Sequence, residues 1–541
     1  MCLQNIFPNR CLFLVFFRNF AIKDGEITLS RQKNKLVSLF CSRLFVTLPR
    51  IMETLKEKTA RGLFWGGMNN GVQQLLGLAF GIILARLLDP SDYGMTAMLA
   101  VFSVIANELQ SSGFKTGLIN LRSPKHEDYN AVFWFNVVAG AVIYVILWFC
   151  APLIADYYHQ PKLIPLSRYV FLGFVFSSFG MAQSAFMTKQ MQIKQIAQCG
   201  MTATLTSSLI SVTLAALGFG YWALATQYLA YIVVNTLLLW FFSPWRPTLL
   251  RKAESLLPLK NLFPFSFKIM LSAIFTQLNA NVMNLLLGHY YGETNTGHYN
   301  QAYQWSSKGF LLVQNMLKQV DQTVLVGLSD ERERQLAVLR KMMRFTAFIT
   351  FPLLFGLAMV SHEFILLAIG EKWAFSASLL PFLCLCGAFM PISTLLTDAV
   401  ISHRRSDVYL WGTVVLGVLQ IMLMVGLWRQ GIYVMVIAYT MLNIAWMFVW
   451  HVFVQRLMGY RLLAFLKDIL PFAFAAAGVM VMTGIVCEFT VYGLQFTDDY
   501  LKLWVLFISK VLVAAILYYA IMRMAGAVIL KECQNFIRRK F

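Results

Sequence analysis

Charge is what this chain has least of. Only 13% of its 541 residues are Asp, Glu, Lys or Arg, against about 25% in a soluble globular protein. Long polar connections are missing too. No segment between apolar runs is long enough to house a separate soluble domain, which counts against a membrane enzyme with a large outer domain. There is no phosphate-cradling glycine loop, so nucleotide-driven transport by this chain alone is excluded. No His/Cys/Asp/Glu cluster has metal-ligand spacing, and no cofactor is expected. The nine cysteines are scattered, and Cys384-Leu-Cys386 lacks the two-residue gap of a redox or zinc pair.

What the chain does contain is apolar surface: 58% hydrophobic residues and a mean hydropathy of +0.64. It therefore reads as an all-α polytopic membrane protein, with length for roughly fourteen spans of about 20 residues. The net charge of +20 does not point to nucleic acid, because the basic residues collect in alternate short loops. One set of loops holds Lys115, Lys125, Lys189, Arg246, Arg340 and Arg404. The other holds few cations, offset by Asp89, Asp92, Asp156, Glu293, Asp498 and Asp499. By the positive-inside rule both termini are expected in the cytoplasm, with an even number of spans.

Apolar runs predict spans near 62–87, 93–113, 131–152, 166–188, 196–218 and 221–243. After a Pro- and Arg-rich connector, 244–261, a second set lies near 264–289, 298–326, 342–361, 376–402, 408–428 and 432–456. A final pair follows near 469–491 and 501–525, inside a C-terminal segment 457–541 that ends in a basic tail. The expected division is an N-terminal six-helix lobe over 52–243, a C-terminal six-helix lobe over 262–456, and the last helix pair. Gly218-Phe-Gly220 is the expected turn between antiparallel helices. Residues 1–51 do not conform. Their apolar run, Leu12–Phe17, is too short for a signal-peptide core, and the working protein is expected to begin at Met52.

A weak internal repeat joins the two sets. Gln74-Leu75, Leu84 and Gly94 recur about two hundred residues later as Gln277-Leu278, Leu287 and Gly297. Duplicated helix bundles around a central polar cavity are a common build of membrane carriers. Six spans per copy give both copies one orientation, a parallel repeat.

Polar residues inside the spans follow helical spacing. Asn70, Gln73 and Gln74 share a face of the first span, and Gln277, Asn281 and Asn284 share one in its repeat. Gln304, Lys308 and Asn315 form a stripe in the following helix. Such faces turn inward, since a central charge facing lipid costs about 2.5–3.5 kcal/mol. Any single amide also fits interhelical hydrogen bonding, but three stripes together point to a wet cavity. Lys308 has no carboxylate one turn away along its helix and suits an anionic ligand such as a phosphate; a pair with Glu108 in the second span is the alternative. Glu108 and Asp398 are candidates for ion coupling or for charge pairs. Asp89-Pro-Ser-Asp92 reads as a helix cap and turn, with a catalytic or metal-binding acid as the rival.

Three motifs carry a resemblance: Ala60-Arg-Gly-Leu-Phe-Trp-Gly-Gly67, Ile83-Leu-Ala-Arg-Leu-Leu-Asp-Pro-Ser-Asp-Tyr-Gly94 and Gly113-Phe-Lys-Thr-Gly117. Together with Tyr221-Trp-Ala-Leu-Ala225, they resemble the polysaccharide transporter family, from about Met52 to the end. That family is related to the multidrug extruders and to the flippase of the peptidoglycan lipid precursor. The resemblance implies two six-helix lobes, alternating access and a cationic cavity, to which Arg61 and Arg86 would contribute as rim cations and Lys308 as a cavity cation. It implies a bacterial inner-membrane protein that flips an undecaprenyl diphosphate-linked oligosaccharide for lipopolysaccharide, O-antigen or exopolysaccharide synthesis. A polysaccharide polymerase or export machinery would be the partner. A multidrug cation antiporter and a membrane glycosyltransferase or polymerase are the alternatives.

Overall fold

Leu88 and Asp89 separate the first two helices of the computed structural model, which describes residues 71–524 apart from 112–113, 122, 250–256, 319–324, 326, 329–330, 404 and 493–498. Arg61, Asn70 and the segment 1–51 lie outside the described residues. Helix α1 runs Gly71–Leu87 and α2 runs Pro90–Ser111. Proline suits the first helical position because its missing N–H has no partner there in any case. Asp92, in the first turn, accepts the Asp89 N–H at 3.0 Å. Asp89-Pro-Ser-Asp92 is thus a helix cap, as its residue types suggested.

The remaining N-terminal helices are α3 (Phe114–Asn120), α4 (His126–Tyr157), α5 (Leu163–Ser178), α6 (Met181–Lys189), α7 (Ile193–Ala216) and α8 (Tyr221–Phe242). The expected span 166–188 is broken, because α5 and α6 meet at an angle of 43°. Part of the connector docks back on the helices. Trp245 is buried and donates to His126 Nδ1 at 3.1 Å, while the Thr248 N–H donates to Asn130 at 2.9 Å.

The largest departure from the expected layout is α9, Leu257–Lys318, helical on both sides of Gly292. The spans expected near 264–289 and 298–326 are its two arms, and the loop expected between them is one residue. Gly292 has φ 77°, a left-handed conformation that glycine adopts without the Cβ penalty. Beyond α9 come α10 (Arg332–Met359), α11 (Ser361–Ile369), α12 (Ala374–Ser402), α13 (Ser406–Leu427), α14 (Ile432–Met458), α15 (Leu462–Tyr492) and α16 (Asp499–Met524).

Nine of the described helices are long and apolar enough to cross a bilayer, or ten if the bent α5–α6 pair is one span. Helices α2 and α9 are not in that count; both carry the polar residues singled out above. The exposed surface is apolar. Val138, Val142, Val145, Phe149 and Leu153 project from α4 at the spacing of one helical face. Helix α12 is the core of the C-terminal half: 61% of its apolar window is buried, against at most 39% in the other spans.

Two glycines bring the chain's halves together. A Cβ at Gly94 would overlap the Glu293 carbonyl oxygen, and one at Gly297 would overlap the Pro90 carbonyl oxygen. These are the glycines that close the two copies of the sequence repeat. Each start of α2 and of the second arm of α9 thus lies backbone-to-backbone on the other.

Candidate functional site

Helix α1 and the second arm of α9 run antiparallel from this glycine seam. A Cβ on Gly81 would lie 3.7 Å from Lys308 Nζ, in ordinary contact, so the ammonium group lies beside Gly81 of α1. Lys308 Nζ sits 4.0 Å over the centroid of the Trp305 ring, a cation–π contact. Among the described residues no carboxylate forms an ion pair with it; Glu108, the alternative partner, is half-buried in α2 and engaged elsewhere.

The amides around Lys308 divide by exposure. Gln74, Gln304 and Asn315 are exposed, and Gln73, Gln277 and Asn281 are half-buried. Asn281 donates to the Gln277 carbonyl of its own helix at 3.0 Å. Asn284 is buried, and Gly288, one turn on, packs against Tyr158 and Met98. The far end of the Gln277 stripe thus packs against α2 and the residue that follows α4. Asp398 is buried in α12 and takes part in an interaction there.

Arg86, expected as a rim cation, is hydrogen-bonded to the end of α11. Its Nε donates to Ala368 O at 2.7 Å and its terminal nitrogen to Leu367 O at 2.6 Å. The guanidinium is used at the end of α11, where helix carbonyls lack internal partners and favour a cation. Lys372 completes this clasp, donating to Arg86 O at 3.0 Å and pairing with Asp89 at 3.3 Å. Trp373 donates to Ala85 O at 2.8 Å.

A second polar region went unseen in the sequence. A cavity of about 380 Å³ lies within the C-terminal half, between α9, α12, α13 and α14. Asn279, Gln314, Gln420, Asn443, Trp446 and Trp450 contribute to its wall. Lone amides in otherwise apolar helices, Gln420 in α13 and Asn443 in α14, were the available signal. A smaller cavity of about 300 Å³ lies between α2, α5 and α8, with Ser103, Asn107 and Tyr228 in its wall. No group of three or more metal-ligating side chains occurs among the described residues.

Outside the spans two shifts follow from burial. Tyr460, buried beside the Asp468 carboxylate, has its phenol pKa raised by desolvation first and by that charge second. Desolvation also lowers the Lys115 ammonium. Asp468 itself accepts from Arg340 Nε at 2.7 Å and from Tyr460 at 2.9 Å, tying α10 to the start of α15.

The sequence pattern of the polysaccharide biosynthesis protein family matches residues 83–378, more than half of the chain and the stretch that contains Arg86, the glycine seam and Lys308. The chain belongs to that family. Among its relatives, the Escherichia coli K12 lipopolysaccharide biosynthesis protein WzxC is 28% identical over 361 residues, covering 66% of this chain and 72% of WzxC. The Bacillus subtilis teichuronic acid biosynthesis protein TuaB is 24% identical, covering 76% of this chain and 84% of TuaB. For the Rhizobium meliloti succinoglycan biosynthesis transport protein ExoT the figures are 25%, 58% and 63%.

Two solved structures give this family member its fold. The lipid II flippase MurJ, in an inward closed conformation, superposes with a TM-score of 0.63 at 13% identity, covering 86% of this chain and 99% of MurJ. An inward-facing multidrug resistance transporter of the MATE family gives 0.57 at 15% identity, covering 71% and 95%. The protein shares the all-α fold of these two membrane transporters.

Proposed function

We propose that this protein flips an undecaprenyl diphosphate-linked oligosaccharide across the bacterial inner membrane, for lipopolysaccharide, O-antigen or exopolysaccharide synthesis. One observation carries the reading: Lys308, an ammonium within a helical span, has a glycine opposite it and no paired carboxylate among the described residues. A charge kept within a span at a cost of about 2.5–3.5 kcal/mol is normally functional, and a point cation suits a phosphate group. The relatives named above supply the substrate class: three act in making lipopolysaccharide, teichuronic acid or succinoglycan, and ExoT is a transport protein by name.

In this reading the diphosphate docks at Lys308, with Gln304, Asn315 and Gln74 exposed nearby to solvate glycan hydroxyls, while the lipid tail stays in the bilayer. Two six-helix halves rock about the site and expose it alternately to each face. The basic loops and both termini lie in the cytoplasm. A polymerase or export complex takes the product on the other side. Replacing Lys308 by Ala, at normal protein levels, is expected to abolish surface glycan and leave its lipid-linked precursor in the membrane. Full export by that variant would remove the diphosphate contact from the mechanism.

A further inference from the structure

We infer that the cavity within the C-terminal half is a subsite for an uncharged sugar ring of the transported glycan, an inference that rests on the flippase reading. Its wall chemistry selects the ligand. Asn279, Gln314, Gln420 and Asn443 bring amides, and Trp446 and Trp450, one turn apart, bring indole faces. Among the described residues no lining side chain is charged. A diphosphate, a metal ion or an organic cation would find no counter-charge there. A sugar ring matches the wall on both counts. Its hydroxyls donate and accept, as carboxamides do, and its C–H face packs on aromatic rings, the apolar body that small-molecule sites provide.

The cavity is built rather than left over. Gly417 in α13 leaves room for the Asn279 amide, and Gly412 leaves room for the Trp450 ring; a Cβ at either would overlap that side chain. Asn279 is fixed by its 2.7 Å bond to Thr413 O, and Gln314 by its 2.7 Å bond to Thr394. Two polar atoms in the wall are left over. Gln420 is 1% exposed, and its Oε1 accepts no hydrogen bond, while Trp446 Nε1 donates none. Buried polar atoms in folded proteins are nearly always paired, and exceptions call for a reason. One unmet acceptor and one unmet donor are what sugar hydroxyls satisfy.

Position ties this cavity to the diphosphate site. Phe310 and Gln314 line it from the second arm of α9, the arm that carries Lys308. Gln314 is six residues beyond Lys308, about 9 Å along the axis at 1.5 Å per residue. Leu311 lies between these two faces, lines the cavity and is 37% exposed, so this side chain borders both. A diphosphate at Lys308 leaves the first sugars within about two helical turns of Gln314 in the cavity wall. At about 30 Å³ per water, the volume of about 380 Å³ equals roughly a dozen waters, space for one or two rings.

The test compares two lipids on the purified protein, in a detergent without a sugar headgroup, by competition in native mass spectrometry. One is bare undecaprenyl diphosphate; the other is the lipid-linked oligosaccharide that accumulates in cells lacking this gene. The wild type is expected to prefer the glycan-bearing lipid by about tenfold, and Gln420→Leu and Trp446→Phe each to cut that preference about fivefold, the value of one hydrogen bond. Both variants should bind the bare lipid within about twofold of wild type, with unchanged thermal unfolding. Lys308→Ala should weaken both lipids alike and keep the ratio. An intact preference in both cavity variants, or none in the wild type, would overturn the subsite. Failure of the wild type to bind either lipid would instead overturn the flippase reading beneath it.

Discussion

The buried pair between Glu363 and Lys510 offers the sharpest energetic test of how the last two helices are held. Lys510 Nζ, in α16, lies 2.7 Å from Glu363 Oε1, in α11, and the two side chains are only 6% and 7% exposed. At this separation, and with an effective dielectric of about 20, the direct attraction is on the order of 6 kcal/mol. Most of that is offset by the cost of taking both charges out of water, so the pair contributes little net stability. Removing one partner is different. Lys510→Met strands the buried Glu363 carboxylate, whose second oxygen accepts no hydrogen bond, and should cost about 3–5 kcal/mol. Glu363→Gln leaves Lys510 its other interaction and should cost less, about 1–3 kcal/mol. Changing both together should recover most of the Lys510→Met loss, because the Glu363 carboxylate is then no longer stranded. Thermal unfolding of the four proteins in one detergent supplies the cycle. Additive losses in the double variant, or a neutral Glu363→Gln, would refute the reasoning. The pair also bears on the site, since the other end of α11 gives its carbonyls to Arg86.

Three further outcomes follow from the packing. Gly94→Ala or Gly297→Ala places a methyl group on a carbonyl oxygen of the opposite half. Overpacking of this kind costs about 1–3 kcal/mol, and a cysteine introduced at Ser91 should label faster in either variant; an unchanged rate would deny that the seam is tight. Arg86→Ala removes two hydrogen bonds to exposed or part-buried carbonyls and should lower stability by only about 1 kcal/mol, read by the same unfolding assay. Asp468→Ala strands Arg340 and Tyr460. Because Arg340 is 39% exposed, water recovers much of the loss, and about 1–2 kcal/mol is expected by the same measure.

The sequence carried the class of this protein in its hydropathy and the position of Lys308 in its helical spacing, because both depend on local pattern. It also carried Gly94 and Gly297 as repeat-related positions, without revealing that they touch. What it could not carry depends on which helices become neighbours. Asn279 and Asn281 are two residues apart, yet one bonds across to α13 and the other back to its own helix. Glu363 and Lys510 stand 147 positions apart, a separation that no local pattern marks. Arg86 was legible as a cation near a span end, but its use depends on where α11 stops. The loop expected between the arms of α9 fails for a different reason. A single glycine in a left-handed conformation does the work of a turn, and apolarity profiles do not register one residue.

The most direct test of the central claim is a charge series at position 308, in vesicles that hold the purified protein and the lipid-linked oligosaccharide. The rate at which the glycan reaches the opposite leaflet is measured for Lys, Arg, Gln and Ala. If the ammonium meets the diphosphate, Arg should retain transport within about tenfold, while Gln and Ala should fall by about a hundredfold or more, the loss expected for a charge-assisted contact in a buried site. Equal rates for Lys308→Gln and wild type, with the protein folded and reconstituted to the same density, would contradict the account.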